Sequence, residues 1–190
     1  MVALRIATHP TWTTCVVENF DAFLVDHGAC ERKAAATGMS FVVRYPDRTE
    51  LLEPMIAFAR EELEHFQQVV RIIVSRGLML APDEADPYVG ALGKHMRTGR
   101  DERLLDRLLM AAVVEARGCE RFGLVAAALD DRALADFYAE ITRSEARHHG
   151  LFVRLARLYC DERTVQDRLD ELLDVEASIV DTLPIRAALH

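Results

Sequence analysis

The sequence has no apolar run long enough to cross a bilayer. Stretches such as LLMAAVV at 108–114 fall far short of the roughly 20 residues a membrane helix needs. No secretory h-region follows the opening MVALRIATHPTWTT, so a cytoplasmic protein with no membrane partner is expected. Cysteine is sparse and scattered: Cys15, Cys30, Cys119 and Cys160 form no C-x-x-C pair, which argues against a disulfide framework, a thiolate zinc site or an iron-sulfur cluster. Glycine and proline are also scarce, 9 and 6 in 190 residues, which disfavours a loop-rich or all-β design. Positive charge is in deficit. A net charge of -8 argues against non-specific coating of nucleic acid, while leaving room for a local basic patch that docks one RNA.

What remains is a chain that is 51% hydrophobic and rich in Ala, Leu, Arg and Glu. That composition and length suit one domain over residues 1–190, of all-α class. Helical periodicity predicts a first helix from about Trp12 to Arg44, with Val16, Phe20, Leu24, His27, Glu31, Ala34 and Phe41 on its stripe and Gly38 as its weak point. YPDR at 45–48 stops it, because Pro46 cannot continue the ladder. A second helix follows from about Thr49 to Ser75, with Pro54 in its first turn and Gly77 as its C′ residue. Between Gly77 and Arg100 the periodicity fades into a crossover with one short helix. A third helix covers about Asp101 to Leu129, and a fourth runs from the Asp130–Asp131 turn to about Tyr159. A fifth, about Arg163 to Asp181, is an appendage. This layout of two tight hairpins joined by one long crossover is that of a ferritin-like four-helix bundle with an extra C-terminal helix.

Several charged residues fall on the apolar stripes, where charge costs most. Glu31 and Glu62 each lie about 15 residues from the Pro46–Asp47 turn, so antiparallel helices would bring them to one level. Glu115 and Glu145 do the same around residue 130. The halves repeat: Glu115 follows Glu31 by 84 positions, Glu145 follows Glu62 by 83, and His148 follows His65 by 83. Glu62 with His65, and Glu145 with His148, are i, i+3 pairs that face one side of a helix. A single Glu-x-x-His is ordinarily a solvated helix face. Two of them, each matched to a stripe Glu equidistant from a turn, give the four-Glu, two-His donor set of di-metal carboxylate bundles. Four buried carboxylates need compensating cations, and mixed oxygen and imidazole donors suit iron or manganese. Among the neighbours, His27 and Tyr138 read as packing or supporting residues, Trp12 as a core anchor, His149 as exposed or supporting, and Glu61 and Glu64 as solvated.

THPTW at 8–12, ERKAA at 31–35, YPDR at 45–48, EELEHF at 61–66, VVEARGCERF at 113–122 and SEARHH at 144–149 resemble the tRNA hydroxylases of the MiaE family. The resemblance runs over about residues 8–180. It implies a ferritin-like, non-haem di-iron monooxygenase that uses dioxygen to hydroxylate the isopentenyl side chain of a hypermodified adenosine beside the tRNA anticodon. The implied metal ligands, and the catalytic residues with them, are Glu31, Glu62, His65, Glu115, Glu145 and His148. They would hold two iron ions, iron being preferred to manganese, with Glu62 and Glu145 bridging and Glu31 and Glu115 terminal. The partners implied are tRNA and an electron-donating reductase or ferredoxin. The alternative is a ferritin-like ferroxidase or iron-handling protein that needs no tRNA surface.

An acidic protein that holds tRNA needs a local cationic surface, and two candidates stand out. GKHMRTGRDERLLDR at 93–107 carries Lys94, Arg97, Arg100, Arg103 and Arg107 among three acids. Arg143, Arg147, Arg154 and Arg157 form a second row on the fourth helix.

Overall fold

A computed structural model describes residues 2–190. Among the described residues it is all helix: α1 Pro10–Glu18, α2 Phe20–Arg44, α3 Thr49–Ser75, α4 Pro87–Gly93, α5 Arg100–Ala128, α6 Arg132–Tyr159 and α7 Glu162–Thr182. No helix among them is long and apolar enough to cross a membrane. Two compact units form. One comprises residues 18–84 and 187–189, and the other the residues up to Val17, Ala85–Arg186 and His190.

The smaller unit is the α2–α3 hairpin. Its turn closes through Tyr45 N–H on the Phe41 carbonyl (2.9 Å) and Arg48 N–H on the Tyr45 carbonyl (3.0 Å). Phe23, Leu24 and Phe41 of α2 and Leu51, Met55, Phe58, Val69 and Ile73 of α3 are buried. Gly38 is not a weak point but a closest approach: a Cβ there would lie 2.8 Å from Phe58 Cδ1 and 3.1 Å from the Met55 carbonyl oxygen. Pro54 sits one turn deeper in α3 than expected, and the helix runs through it. α3 ends as predicted at Gly77, whose φ of 74° suits glycine. Leu78 N–H reaches the Ile73 carbonyl and Gly77 N–H the Val74 carbonyl, the paired bonds of a Schellman cap.

The expected continuous first helix is broken at Asn19, where φ −127° and ψ 41° leave the helical region. The Asn19 carbonyl takes the N–H groups of Ala22 and Phe23 and restarts the helix as α2. The apolar stripe Val16, Phe20, Leu24 passes through the break without a change of period. An asparagine, which competes poorly in helix interiors, is the local cause.

The larger unit is built on the α5–α6 hairpin, with α4 and α7 packed on it. Asp131 caps α6 by accepting from Ala133 N–H (2.9 Å) and Leu134 N–H (3.2 Å). Asp86 caps the crossover helix α4 through Tyr88 N–H and Val89 N–H. A buried polar network fastens the N-terminal segment and α7 to α5. Arg117, fully buried, donates to both oxygens of the equally buried Glu176 (2.8 and 3.0 Å), to Glu120 Oε2 and to the Ile6 carbonyl. Thr8 N–H and Oγ1 donate to the two Glu120 oxygens, and Tyr88 Oη donates to Glu176 (3.2 Å). Arg121 lies over the Trp12 ring at 4.9 Å. THPTW and EARGCERF thus meet, and Trp12 is the buried anchor expected of it.

Candidate metal centre

In the α2–α3 unit, Glu31, Glu62 and His65 are buried together. One donor atom from each lies within 4.8 Å of the others. His65 Nδ1 is 3.5 Å from Glu31 Oε2 and 3.8 Å from Glu62 Oε2, and His27 Nε2 is 2.5 Å from Glu31 Oε1. Burial alone would push the Glu31 carboxyl up, but the neighbouring His27, followed by His65 and Glu62, holds it well below the usual carboxylate range. Burial likewise pushes His65 down, and the two carboxylates overcome it, raising the imidazole to about 10. His27, read as a packing or supporting residue, contacts Glu31 from one turn earlier on the same helix, the position from which an imidazole can orient a carboxylate.

In the α5–α6 unit, Glu115, Glu145 and His148 converge in the same way, with one donor atom each within 4.8 Å of the others. Glu145 and His148 are buried and Glu115 half-buried. His148 Nδ1 is 3.1 Å from Glu145 Oε2. The repeat is not complete. The position one turn before Glu115 is Ala111, so this half has no counterpart of His27. Cys119, one turn after Glu115, donates its thiol to the Thr142 carbonyl (3.4 Å), and burial followed by Glu145 pushes that thiol up. His149, read as exposed or supporting, is buried, and its Nδ1 has no hydrogen-bond partner. Glu64 faces solvent as expected, while Glu61 is half-buried.

Each half therefore offers two carboxylates and one imidazole, with no thiolate among the clustered donors. Glu31 Oε2, although buried, accepts no hydrogen bond, and an unsatisfied buried carboxylate oxygen costs free energy that a cation would recover. This donor chemistry fits a divalent iron or manganese ion.

Sequence reasoning missed the Arg117–Glu176 pair altogether. Its one available signal was that Arg117, Glu120 and Arg121 sit in the same motif as Glu115. It also offered Arg97 as a surface cation, whereas Arg97 Nη2 binds the fully buried Asp106 at 2.7 Å, a carboxylate it shares with Arg168.

An all-helical chain with paired carboxylate-histidine sets defines a ferritin-like protein of the di-iron oxygenase class. A solved structure described as "Protein 43 with aldehyde deformylating oxygenase activity from Synechococcus" matches with a TM-score of 0.92 and 34% identity, over 97% of this chain and 92% of that one. The chain belongs to the MiaE family: the family model described as tRNA-(MS[2]IO[6]A)-hydroxylase (MiaE) matches residues 1–190. A Pseudomonas putida protein named tRNA 2-(methylsulfanyl)-N(6)-isopentenyladenosine(37) hydroxylase is 36% identical over 162 residues, 85% of this chain and 78% of its own length. A Salmonella typhimurium protein of the same name is 34% identical over 131 residues, 69% of this chain; the match spans 48% of that protein's length.

Proposed function

We propose that the two units act as one di-iron domain, a dioxygen-dependent hydroxylase of the isopentenyl side chain on a hypermodified adenosine beside the tRNA anticodon. The observation that carries this reading is the twofold clustering of a carboxylate-carboxylate-histidine set, at matching registers, in a chain that the MiaE family model covers from end to end. Glu31, Glu62 and His65 with Glu115, Glu145 and His148 would hold two iron ions. The iron pair, when bound, supplies activation of dioxygen for insertion into a C–H bond, with two electrons delivered by a separate reductase or ferredoxin.

The chain's own residues set the conditions for that chemistry. The four glutamates would balance the charge of two cations, and the two histidines, once a cation displaces the proton from the coordinating nitrogen, would complete the donor set. His27 would hold the Glu31 carboxylate in place through its 2.5 Å contact, and the Phe23 ring stacks on His27 with centroids 6.2 Å apart. Phe122 and Tyr138, both buried and with ring centroids 5.7 Å apart, are part of the apolar core of the α5–α6 unit.

The test is anaerobic iron loading, exposure to oxygen with an electron donor and tRNA bearing the isopentenyl nucleoside, and mass spectrometry of the digested nucleosides. A gain of one oxygen is the expected result. Iron oxidation without nucleoside change would make the protein a ferroxidase, and turnover of an aldehyde in place of tRNA would move it towards its Synechococcus neighbour. Glu145→Ala and His148→Ala should each lose paired-iron binding, measured by metal analysis, while circular dichroism stays helical. Two irons per chain in both variants would overturn the ligand assignment.

A further inference from the structure

The α5–α6 unit has alanine at the position equivalent to His27, yet it carries an imidazole at the same level on its other helix. His27 and Phe66 stand one turn further from their hairpin turn than Glu31 and Glu62, and Ala111 and His149 stand one turn further than Glu115 and Glu145. The second hairpin thus repeats the first with the histidine moved across it. In one unit α2 bears the histidine and α3 a phenylalanine; in the other α5 bears alanine and α6 the histidine.

Both histidines are four residues from a clustered glutamate of their own helix, His27 preceding Glu31 and His149 following Glu145. Such a pair shares one helix face, about 6 Å apart along the axis. Helical side chains lean toward the N-terminus, so His149 leans over the turn that holds Glu145. Viewed down α6, Glu145 lies between two imidazoles, His148 about 60° to one side and His149 about 40° to the other.

His149 is buried, and its Nδ1 is shut off from solvent with no hydrogen-bond partner. A polar atom left so costs free energy, and leucine, of similar size, would fill the place without that cost. Nor is this a ligand position by the internal repeat, because Glu31, Glu62 and His65 cluster with phenylalanine, which can donate nothing, at the equivalent Phe66. His27 shows what an imidazole one turn from a glutamate does. Its Nε2 lies 2.5 Å from Glu31 Oε1, while Glu31 Oε2 is 3.5 Å from His65 Nδ1 within the cluster.

We propose that His149 is the positioning residue of the α5–α6 half, turning its buried Nδ1 to the Glu145 carboxylate when that carboxylate holds a cation, an inference that rests on the ligand assignment above. A carboxylate that binds a metal keeps a lone pair outside the coordination bond, and a hydrogen bond there fixes its orientation and raises its affinity. With its proton on Nδ1, the His149 ring donates to that lone pair.

The experiment titrates full-length protein with cobalt(II), which stands in for iron(II) and reports its coordination by visible absorption, against a competing chelator. Wild type should bind two ions. His149→Leu should weaken one of them about 10–100-fold and alter its absorption spectrum. Its urea stability in excess chelator should equal or exceed that of wild type, because the orphaned nitrogen is gone and the volume is kept. His149→Asn, whose side-chain amide places an N–H close to the position of Nδ1, should recover most of the lost affinity. His149→Leu combined with His27→Leu should weaken both ions. Equal affinities and spectra in wild type and His149→Leu would overturn the inference. So would complete loss of one ion in both single variants of His149, which would make it a ligand, or a fall in chelator-treated stability large enough to account for the weaker binding, which would make it a packing residue. Wild type that binds no pair of ions refutes the ligand assignment and this inference with it. Wild type that binds two, loses the pair in Glu145→Ala and is indifferent to His149→Leu refutes this inference alone.

Discussion

Replacing Glu176 by leucine strips the Arg117 guanidinium of its bidentate partner inside a site where both side chains are fully buried. Two charge-assisted hydrogen bonds are lost, and Tyr88 Oη loses its acceptor. Removing one member of a buried pair costs about 3–5 kcal/mol, because the remaining charge keeps its desolvation penalty. Glu120 offsets part of this, since Arg117 Nη1 stays bound to it, so the lower half of the range is expected. In thermal melts a protein of this size shifts about 2–4 °C per kcal/mol, giving a fall of roughly 6–15 °C. Arg117→Met alone should cost a similar amount. The double variant, with both charges gone, should cost distinctly less than the sum of the singles. Urea denaturation of the four proteins yields that coupling directly. A loss below about 1 kcal/mol in either single variant, or additivity in the double, would refute the claim that this pair fastens α7 and the N-terminal segment to α5.

Gly38→Ala should destabilise by about 1–3 kcal/mol despite alanine's better helix propensity, because the Met55 backbone oxygen cannot move aside as a side chain could; a stabilised variant in urea denaturation would contradict the close approach. Asp86 sets an acid limit. Burial pushes its carboxyl up, but the His190 imidazole and the Val89 and Tyr88 N–H groups bring it down to about 2. Its folded value lies below the unfolded one, so its contribution of about 1–2 kcal/mol is present above pH 4 and lost as pH falls through about 2. The stability deficit of Asp86→Asn in urea titrations should therefore shrink from pH 5 to pH 2, and a deficit that stays constant would show that the charge is irrelevant.

Helix ends were legible where local chemistry dictates them. Pro46 lacks the N–H that would continue the ladder, while Gly77 and Asp131 bond to residues a few positions away, and each ends or starts a helix as predicted. The carboxylates and imidazoles that cluster in each unit were legible for a related reason: a charge on an apolar stripe stands out against the helical period. The Asn19 break was hidden because the stripe continues in phase across it. The Arg117–Glu176 pair was hidden because its members are 59 positions apart, and each alone looks like a solvated helix residue. Arg97 misled for the same reason, since only the folded chain shows Asp106 buried beneath it.

α6 carries Glu145 and His148 on its inner side and the arginines on its outer side, nearly half a turn away. The angle between the two sets is a property of the helix itself. Substitution can retune one side and leave the other untouched, but inserting or deleting a single residue between positions 143 and 154 would swing everything after it by about 100° against everything before it, breaking up both sides. Changes of length within this stretch of α6 should therefore disturb the buried set far more than substitutions on its outer face do.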